Sequence, residues 1–235
     1  MSKYLGIDLG TQSLKAVVYN TDTRRIEAVG SSELQLTSRA DGTREQLAEW
    51  WIQALHLSPQ QIEPAHKDGI AAIGVSGQQH GFVPLGADGS VLAPVKLWCD
   101  TATTAECDEI TAAFGGIERC IREVGNPILP GYTASKILWL KKNLPEAYAA
   151  MTGILLPHDY LNFYLTGERF AECGDASGTA LLDIRRREWH PGILAAVDAD
   201  RDLSECLPTL GSIDDAGGQL TAAVAELLGL PAGIP

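Results

Sequence analysis

Eight consecutive residues, Asp8-Leu9-Gly10-Thr11-Gln12-Ser13-Leu14-Lys15, bring together a carboxylate, a glycine, two hydroxyls, an amide and a lysine. At a hairpin tip this set can cradle a phosphate. Gly10 lets the backbone approach a ligand and take a positive φ, while the turn amides with Thr11, Gln12 and Ser13 face the anion and Lys15 adds positive charge. Asp8, ending an apolar run, suits a hydrated Mg2+, an ion that takes few carboxylates and keeps several waters. The same residues also fit a tight β-turn in which glycine and threonine only satisfy backbone geometry. Neither GxxxxGK[ST] nor GxGxxG occurs in the sequence, so a phosphate bound here is held by a hairpin rather than by a helix N-terminus.

A second set follows the apolar run Gly69–Ser76. Gln78, Gln79 and His80 would be presented at the carboxyl end of a strand, the usual ligand crevice of α/β sheets. Amides and imidazole both donate and accept, which suits a neutral polyol. Trp98 offers a ring face to sugar C–H groups and equally suits core packing. Asp100, ahead of a helical segment, reads as an N-cap or as a substrate contact. Asp175 reads as turn chemistry or as a site carboxylate. Capping accounts for His158 and Asp159 at a helix start. Lys136, Trp139 and Leu140 read as helix packing with a solvated lysine, and Arg185-Arg186-Arg187 as a solvated face.

The elements that position these residues are legible from periodicity. Lys3–Leu9 and Leu14–Tyr19 form a hairpin, followed by a strand over Ile26–Ser31. Thr43-Arg44-Glu45-Gln46 has capping-box spacing, and Leu47, Trp50, Trp51, Ala54 and Leu55 share one helix face that ends before Pro59. Gly69–Ser76 lacks alternation, as expected of a strand covered on both faces. Phe82–Leu85 and Val91–Ala93 flank the turn Ala87-Asp88-Gly89, and Val95–Trp98 is a further strand. Helices are expected over Ala102–Phe114, Ile117–Val124, Ala134–Asn143, Pro157–Leu165 and Leu220–Leu228, with a strand at Thr179–Ile184.

The 235 residues carry 18 basic and 30 acidic side chains, a net charge of −12 that disfavours nucleic acid as a partner. With 45% apolar and 20% charged residues the chain can bury a core. No run approaches the ~18–20 apolar residues of a membrane span, and Asp8 interrupts the opening run too early for a signal peptide. A soluble cytoplasmic chain with no membrane partner is expected. Its five cysteines are scattered without a CxxC pair, against a disulfide framework or zinc site. The whole reads as one continuous α/β unit, a mixed β-sheet flanked by helices.

The opening DLGTQSLK resembles the first phosphate loop of the sugar kinase, Hsp70 and actin superfamily. Gly131-Tyr132-Thr133-Ala134-Ser135-Lys136-Ile137-Leu138-Trp139-Leu140 is similar to a signature of the FGGY carbohydrate kinases, and SGQQHG (residues 76–81) resembles the sugar-side loop of their xylulokinase branch. The likeness extends to LWCD (97–100), PHDYL (157–161), DASGT (175–179) and the terminal GLPAGIP. It implies that residues 1–235 are the ribonuclease H-like, actin-like N-terminal domain, the half that makes most sugar contacts. On that resemblance a second, nucleotide-binding domain is expected to be absent from this chain.

The resemblance implies transfer of the γ-phosphoryl of ATP to the 5-hydroxyl of D-xylulose, with Mg2+ held through Asp8 and the sugar fixed by Gln79, His80 and Trp98. The family's base, an aspartate in a GGGD segment, is expected just after Pro235, so the isolated chain is expected to turn over negligibly. In glycerol-specific relatives Arg and Glu stand where this chain has Gln79 and His80, which disfavours glycerol. An unpaired apolar face where the second domain would dock favours self-association, for example as a homodimer. Rival readings are an FGGY kinase for ribulose, gluconate or another polyol, a catalytically idle sugar-binding module, and an actin-like or chaperone ATPase.

Overall fold

The computed structural model describes residues 2–235. Strands β1 (Lys3–Leu9), β2 (Ser13–Asn20) and β3 (Arg25–Glu33) form an antiparallel meander, extended by β6 (Ile70–Gly77) parallel to β1, in the order β3-β2-β1-β6. Alternation sets its faces: Leu5, Ile7 and Leu9 with Leu14, Ala16 and Val18 point to the core, and Tyr4, Asp8 and Lys15 point out. Helix α1 (Ala48–Gln60) covers the inner face with Trp51, Ala54 and Leu55. Asp8 is paired in register with Lys15 on one side and Ser76 on the other.

Between β3 and α1 lie two short strands, β4 (Thr37–Ser38) and β5 (Arg44–Gln46). The expected capping box at Thr43–Gln46 is therefore not formed. These residues pair as strand with β8 (Val95–Lys96), and Leu47 precedes the helix without a side-chain cap. Pro59 lies inside the last turn of α1 rather than beyond it. After α2 (Pro64–Lys67), β6 is not covered on both faces, since Ala71, Gly74 and Ser76 are exposed at the edge of the sheet. β7 (Val83–Leu85) keeps its expected place, but Val91–Ala93 contributes only a single bridge, Val91 to Leu85.

A second core is helical. α3 (Thr104–Phe114), α4 (Ile117–Glu123), α5 (Thr133–Asn143) and α6 (Pro145–Ala150) bury Cys107, Ile110, Phe114, Cys120, Ile137 and Leu140. β9 (Gly153–Leu155) pairs with β7, and α7 (Pro157–Thr166) leads to β10 (Phe170–Glu172) and the short helix α8 (Cys173–Ala176). The strand expected at Thr179–Ile184 shrinks to Leu182–Asp183. A 3-10 turn occupies Ser177–Thr179, and Ala180 turns left-handed at φ 60°. The Pro191–Val197 helix, unforeseen in the sequence, completes this core. All five cysteines are free, and among the described residues no helix is long and apolar enough to cross a membrane.

Candidate active site

The β1–β2 turn and the residues after β6 meet at one end of the sheet. Gln78, only 8% exposed, ties them together. Its backbone N–H donates to Leu9 O at 2.7 Å, its Oε1 accepts the Thr11 hydroxyl at 3.1 Å, and its Nε2 donates to Gln46 Oε1 at 2.8 Å. Gln46 in turn donates to the carbonyls of Thr11 and Gln35 and accepts from Trp51 Nε1 at 3.0 Å. A buried amide chain of this kind is stable only when fully satisfied. Here it fixes the hairpin tip to the floor of the sheet.

The expected anion-facing groups separate into two kinds. The Thr11 hydroxyl is committed within the protein, donating to Gln78 and accepting from Trp98 Nε1 at 3.0 Å. The Thr11 and Gln12 amides take no protein acceptor among the described residues, so the tip keeps two backbone donors free. Gly10 is not at positive φ, contrary to expectation. Its need for glycine is one of space, because a Cβ there would stand 3.1 Å from Ser13 O. Asp8, Gln12 and Lys15 are exposed, and Ser13 opens β2 opposite Glu33. Asp8 as a single solvent-facing carboxylate fits a hydrated Mg2+ held through water.

Beside the tip lies a cavity of about 460 Å³ lined by Gln79, His80, His158, Asp175, Ser177 and Gly178, with the carboxyl end of β6 as its floor. Of the sequence-derived sugar residues, Gln79, His80 and Asp175 thus come together, whereas Gln78 braces the hairpin. Trp98 is 51% exposed and leans on Thr11, which excludes core packing. Asp100 is wholly buried, its Oδ2 accepting from Arg44 N and Lys96 Nζ and its Oδ1 from Ala102 N, so both oxygens serve the fold. His80 is left-handed at φ 59°, and its Nδ1 is buried with no protein partner. Burial lowers the His80 pKa against the pull of Asp175, leaving a neutral ring that can exchange one hydrogen bond with a ligand hydroxyl.

His158, which the sequence left as a helix cap, is held between two carboxylates. Its Nδ1 lies 2.7 Å from Asp175 Oδ2 and its Nε2 3.0 Å from Asp159 Oδ1, ion-pair contacts without hydrogen-bond alignment. Burial works against the His158 charge, but the Asp175 contact and the Asp159 charge together raise its pKa. Burial pushes Asp159 up to about 7. Both shifts have one sign for stability. The folded chain holds a proton on Asp159 between pH 3.8 and about 7, and one on His158 above 6.5, that the unfolded chain has released. Stability from this cluster is therefore full in acid and is lost as pH rises through neutrality. Thermal unfolding is expected to show the Tm of the wild-type chain falling relative to Asp159→Asn between pH 4.5 and 8. A constant difference across that range refutes the assignment.

The sequence profile of the FGGY family of carbohydrate kinases, N-terminal domain, matches residues 3–235. The chain belongs to the FGGY family of carbohydrate kinases. A xylulose kinase from Haemophilus influenzae is 37% identical over 233 residues, covering 96% of this chain and 47% of the relative. The crystal structure of a xyloylose kinase from Brucella ovis superimposes with a TM-score of 0.88 at 33% identity, over 98% of this chain and 47% of that one. A gluconate kinase from Lactobacillus acidophilus gives the same TM-score at 24% identity, over 98% and 46% of the two chains, which is a likeness of fold alone. This FGGY chain thus spans about half the length of the curated relatives it matches. The α/β architecture expected from the sequence, an actin-like mixed sheet with flanking helices, is the one this family shares.

Proposed function

We propose that the chain is the N-terminal, sugar-binding domain of a xylulokinase, which transfers the γ-phosphoryl of ATP to the 5-hydroxyl of D-xylulose. The observation that carries this reading is the placement of uncharged donors and acceptors, Gln79 and neutral His80, in a cavity next to a hairpin tip with two free amides. A cavity of this size suits a five-carbon sugar. Asp175 at its wall can accept from hydroxyls, and its pairing with His158 leaves that imidazole no free charge for the carboxylate of an aldonate such as gluconate.

Phosphoryl transfer asks for positioning and charge neutralisation more than covalent help. Gln79 and His80 would orient the ketose, Trp98 would cover the tip, and the Thr11 and Gln12 amides would steady the transferring group. Mg2+, held through water by Asp8, would neutralise charge on the phosphates. The 5-hydroxyl proton would pass to the aspartate of a GGGD segment, a motif that none of these 235 residues contains. A nucleotide-binding domain beyond this one would supply the rest of the ATP site. The cross-strand row Tyr4, Tyr19 and Ile26, exposed on the outer face of the sheet, supports self-association there.

Titration calorimetry on the chain tests the substrate assignment. D-xylulose is expected to bind, D-gluconate and glycerol to bind at least tenfold more weakly, and Gln79→Arg to abolish the xylulose heat. Equal heats for xylulose and gluconate overturn the reading. ADP release by the chain alone is expected to be negligible.

A further inference from the structure

A lysine enclosed by protein without a carboxylate partner is costly. Lys136 on α5 is such a residue, with 0% exposure, where the sequence suggested a solvated side chain. Its ammonium donates to two backbone carbonyls, His80 O at 2.6 Å and Gly131 O at 2.7 Å. The Thr133 hydroxyl donates to the same His80 carbonyl at 3.3 Å, and the Tyr132 ring meets the His80 ring edge-on with centroids 4.8 Å apart. Three side chains of one short segment thus converge on a single residue 56 positions from Lys136.

What they hold is a strained conformation. A left-handed backbone at a residue with a Cβ is costly and persists only where its surroundings over-determine it. The donors on the His80 carbonyl fix the peptide plane after the residue, and Tyr132 fixes the ring. Gly178 supplies the space opposite. Neither Lys136 nor Thr133 lines the cavity, so any influence they have on a ligand passes through His80.

We propose that Lys136 is a positioning residue for His80, its ammonium clamping the His80 and Gly131 carbonyls so that the left-handed turn presents the imidazole at the cavity wall. The Gly131–Leu140 segment is then the template of the sugar-side loop rather than a packing motif. Burial lowers the Lys136 pKa to about 7, with Asp100, Cys99 and Cys107 favouring the charge and Lys96 opposing it, so the clamp is retained against a sizeable desolvation cost. The turn geometry stands independently, and its effect on affinity rests on the sugar reading above.

The test is nitrogen-15 NMR of the chain labelled at its five histidines, with His80 assigned by the signal lost in His80→Gln. Lys136→Met keeps the aliphatic stem and removes the donors. In that variant the His80 ring signals are expected to shift, and its titration to move up toward ordinary histidine. The other four histidines should hold theirs, and xylulose affinity should fall at least tenfold. Unchanged His80 signals in folded Lys136→Met overturn the proposal. Shifted signals with unchanged affinity support the clamp and sink the sugar reading instead. Should Lys136→Met not fold, Thr133→Val removes the weaker donor to the same carbonyl. A smaller shift of the same signals then supports the clamp, and their constancy overturns it.

Discussion

Gly178→Ala is expected to weaken D-xylulose binding at least tenfold while the helix content of the chain stays as it is. A Cβ on residue 178 would stand 1.9 Å from His80 Cε1 and 2.2 Å from Nδ1, inside any allowed contact. Gly178 is not at positive φ, so alanine brings no backbone strain and the whole effect is steric. The imidazole has little room to yield. Tyr132 abuts its edge, and Lys136 and Thr133 hold its carbonyl. Overpacking of this kind costs about 1–3 kcal/mol, and a tenfold loss of affinity corresponds to about 1.4. Calorimetry on Gly178→Ala, His80→Ala and the double variant checks the route. If the loss runs through the ring, Gly178→Ala adds nothing once His80 is alanine. Wild-type affinity in Gly178→Ala would remove His80 from the site.

Residues close in sequence were readable; those brought together by the fold were not. The β1–β2 hairpin follows from two runs of β-branched, aromatic and aliphatic residues separated by Gly10-Thr11-Gln12-Ser13, and its tip was found because Asp8, Gly10 and Thr11 lie within a few residues. The placing of Gln79 and His80 followed from an apolar strand ending in polar side chains. Thr43–Gln46 misled because helix-start spacing is a local signal. The tertiary demand for a strand between Thr37–Ser38 and Val95–Lys96 outweighs it, and Gln46 is needed facing inward to hold Thr11. The Gly69–Ser76 run shows the converse, since apolar residues without alternation also suit an edge strand whose small residues, Ala71 and Gly74, are exposed at low cost.

The largest omissions share one cause. Lys136 and His158 are charged residue types near helix starts, where a solvated or capping role is the ordinary reading. Nothing local announces that a carbonyl 56 residues away joins the nearby Gly131 carbonyl over one, or that carboxylates from two elements enclose the other. The motif matches at residues 131–140, 157–161 and 175–179 did point to these places. Converting them into roles required the contacts, in which Lys136 and Thr133 reach the His80 carbonyl and His158 reaches Asp175.

Asp100→Ala should produce the largest loss of stability of any substitution considered, about 3 kcal/mol, read as a Tm lower by about 6–12 °C in thermal unfolding followed by circular dichroism. The carboxylate is fully buried and satisfies Arg44 N at 2.8 Å, Ala102 N at 3.0 Å and Lys96 Nζ at 3.1 Å. Its removal leaves two amides without acceptors and a buried ammonium with Glu45 at 3.0 Å and the Trp139 ring at 4.0 Å as its remaining partners. Those partners keep the cost at the lower end of what breaking a buried pair entails. Asp100→Leu combined with Lys96→Met is expected to be less damaging than Asp100→Ala, because it removes the stranded charge along with its partner. The damage should also reach the hairpin tip. Arg44 N belongs to the strand that carries Gln46, and Gln46 holds the Thr11 carbonyl at 2.8 Å. Faster amide exchange at Gly10 and Gln78, whose N–H groups donate to Ser13 O and Leu9 O at the tip, in folded Asp100→Ala would show that path. An unchanged Tm would mean that the Lys96 pair contributes nothing to the fold, and Asp100 would return to consideration as a ligand contact.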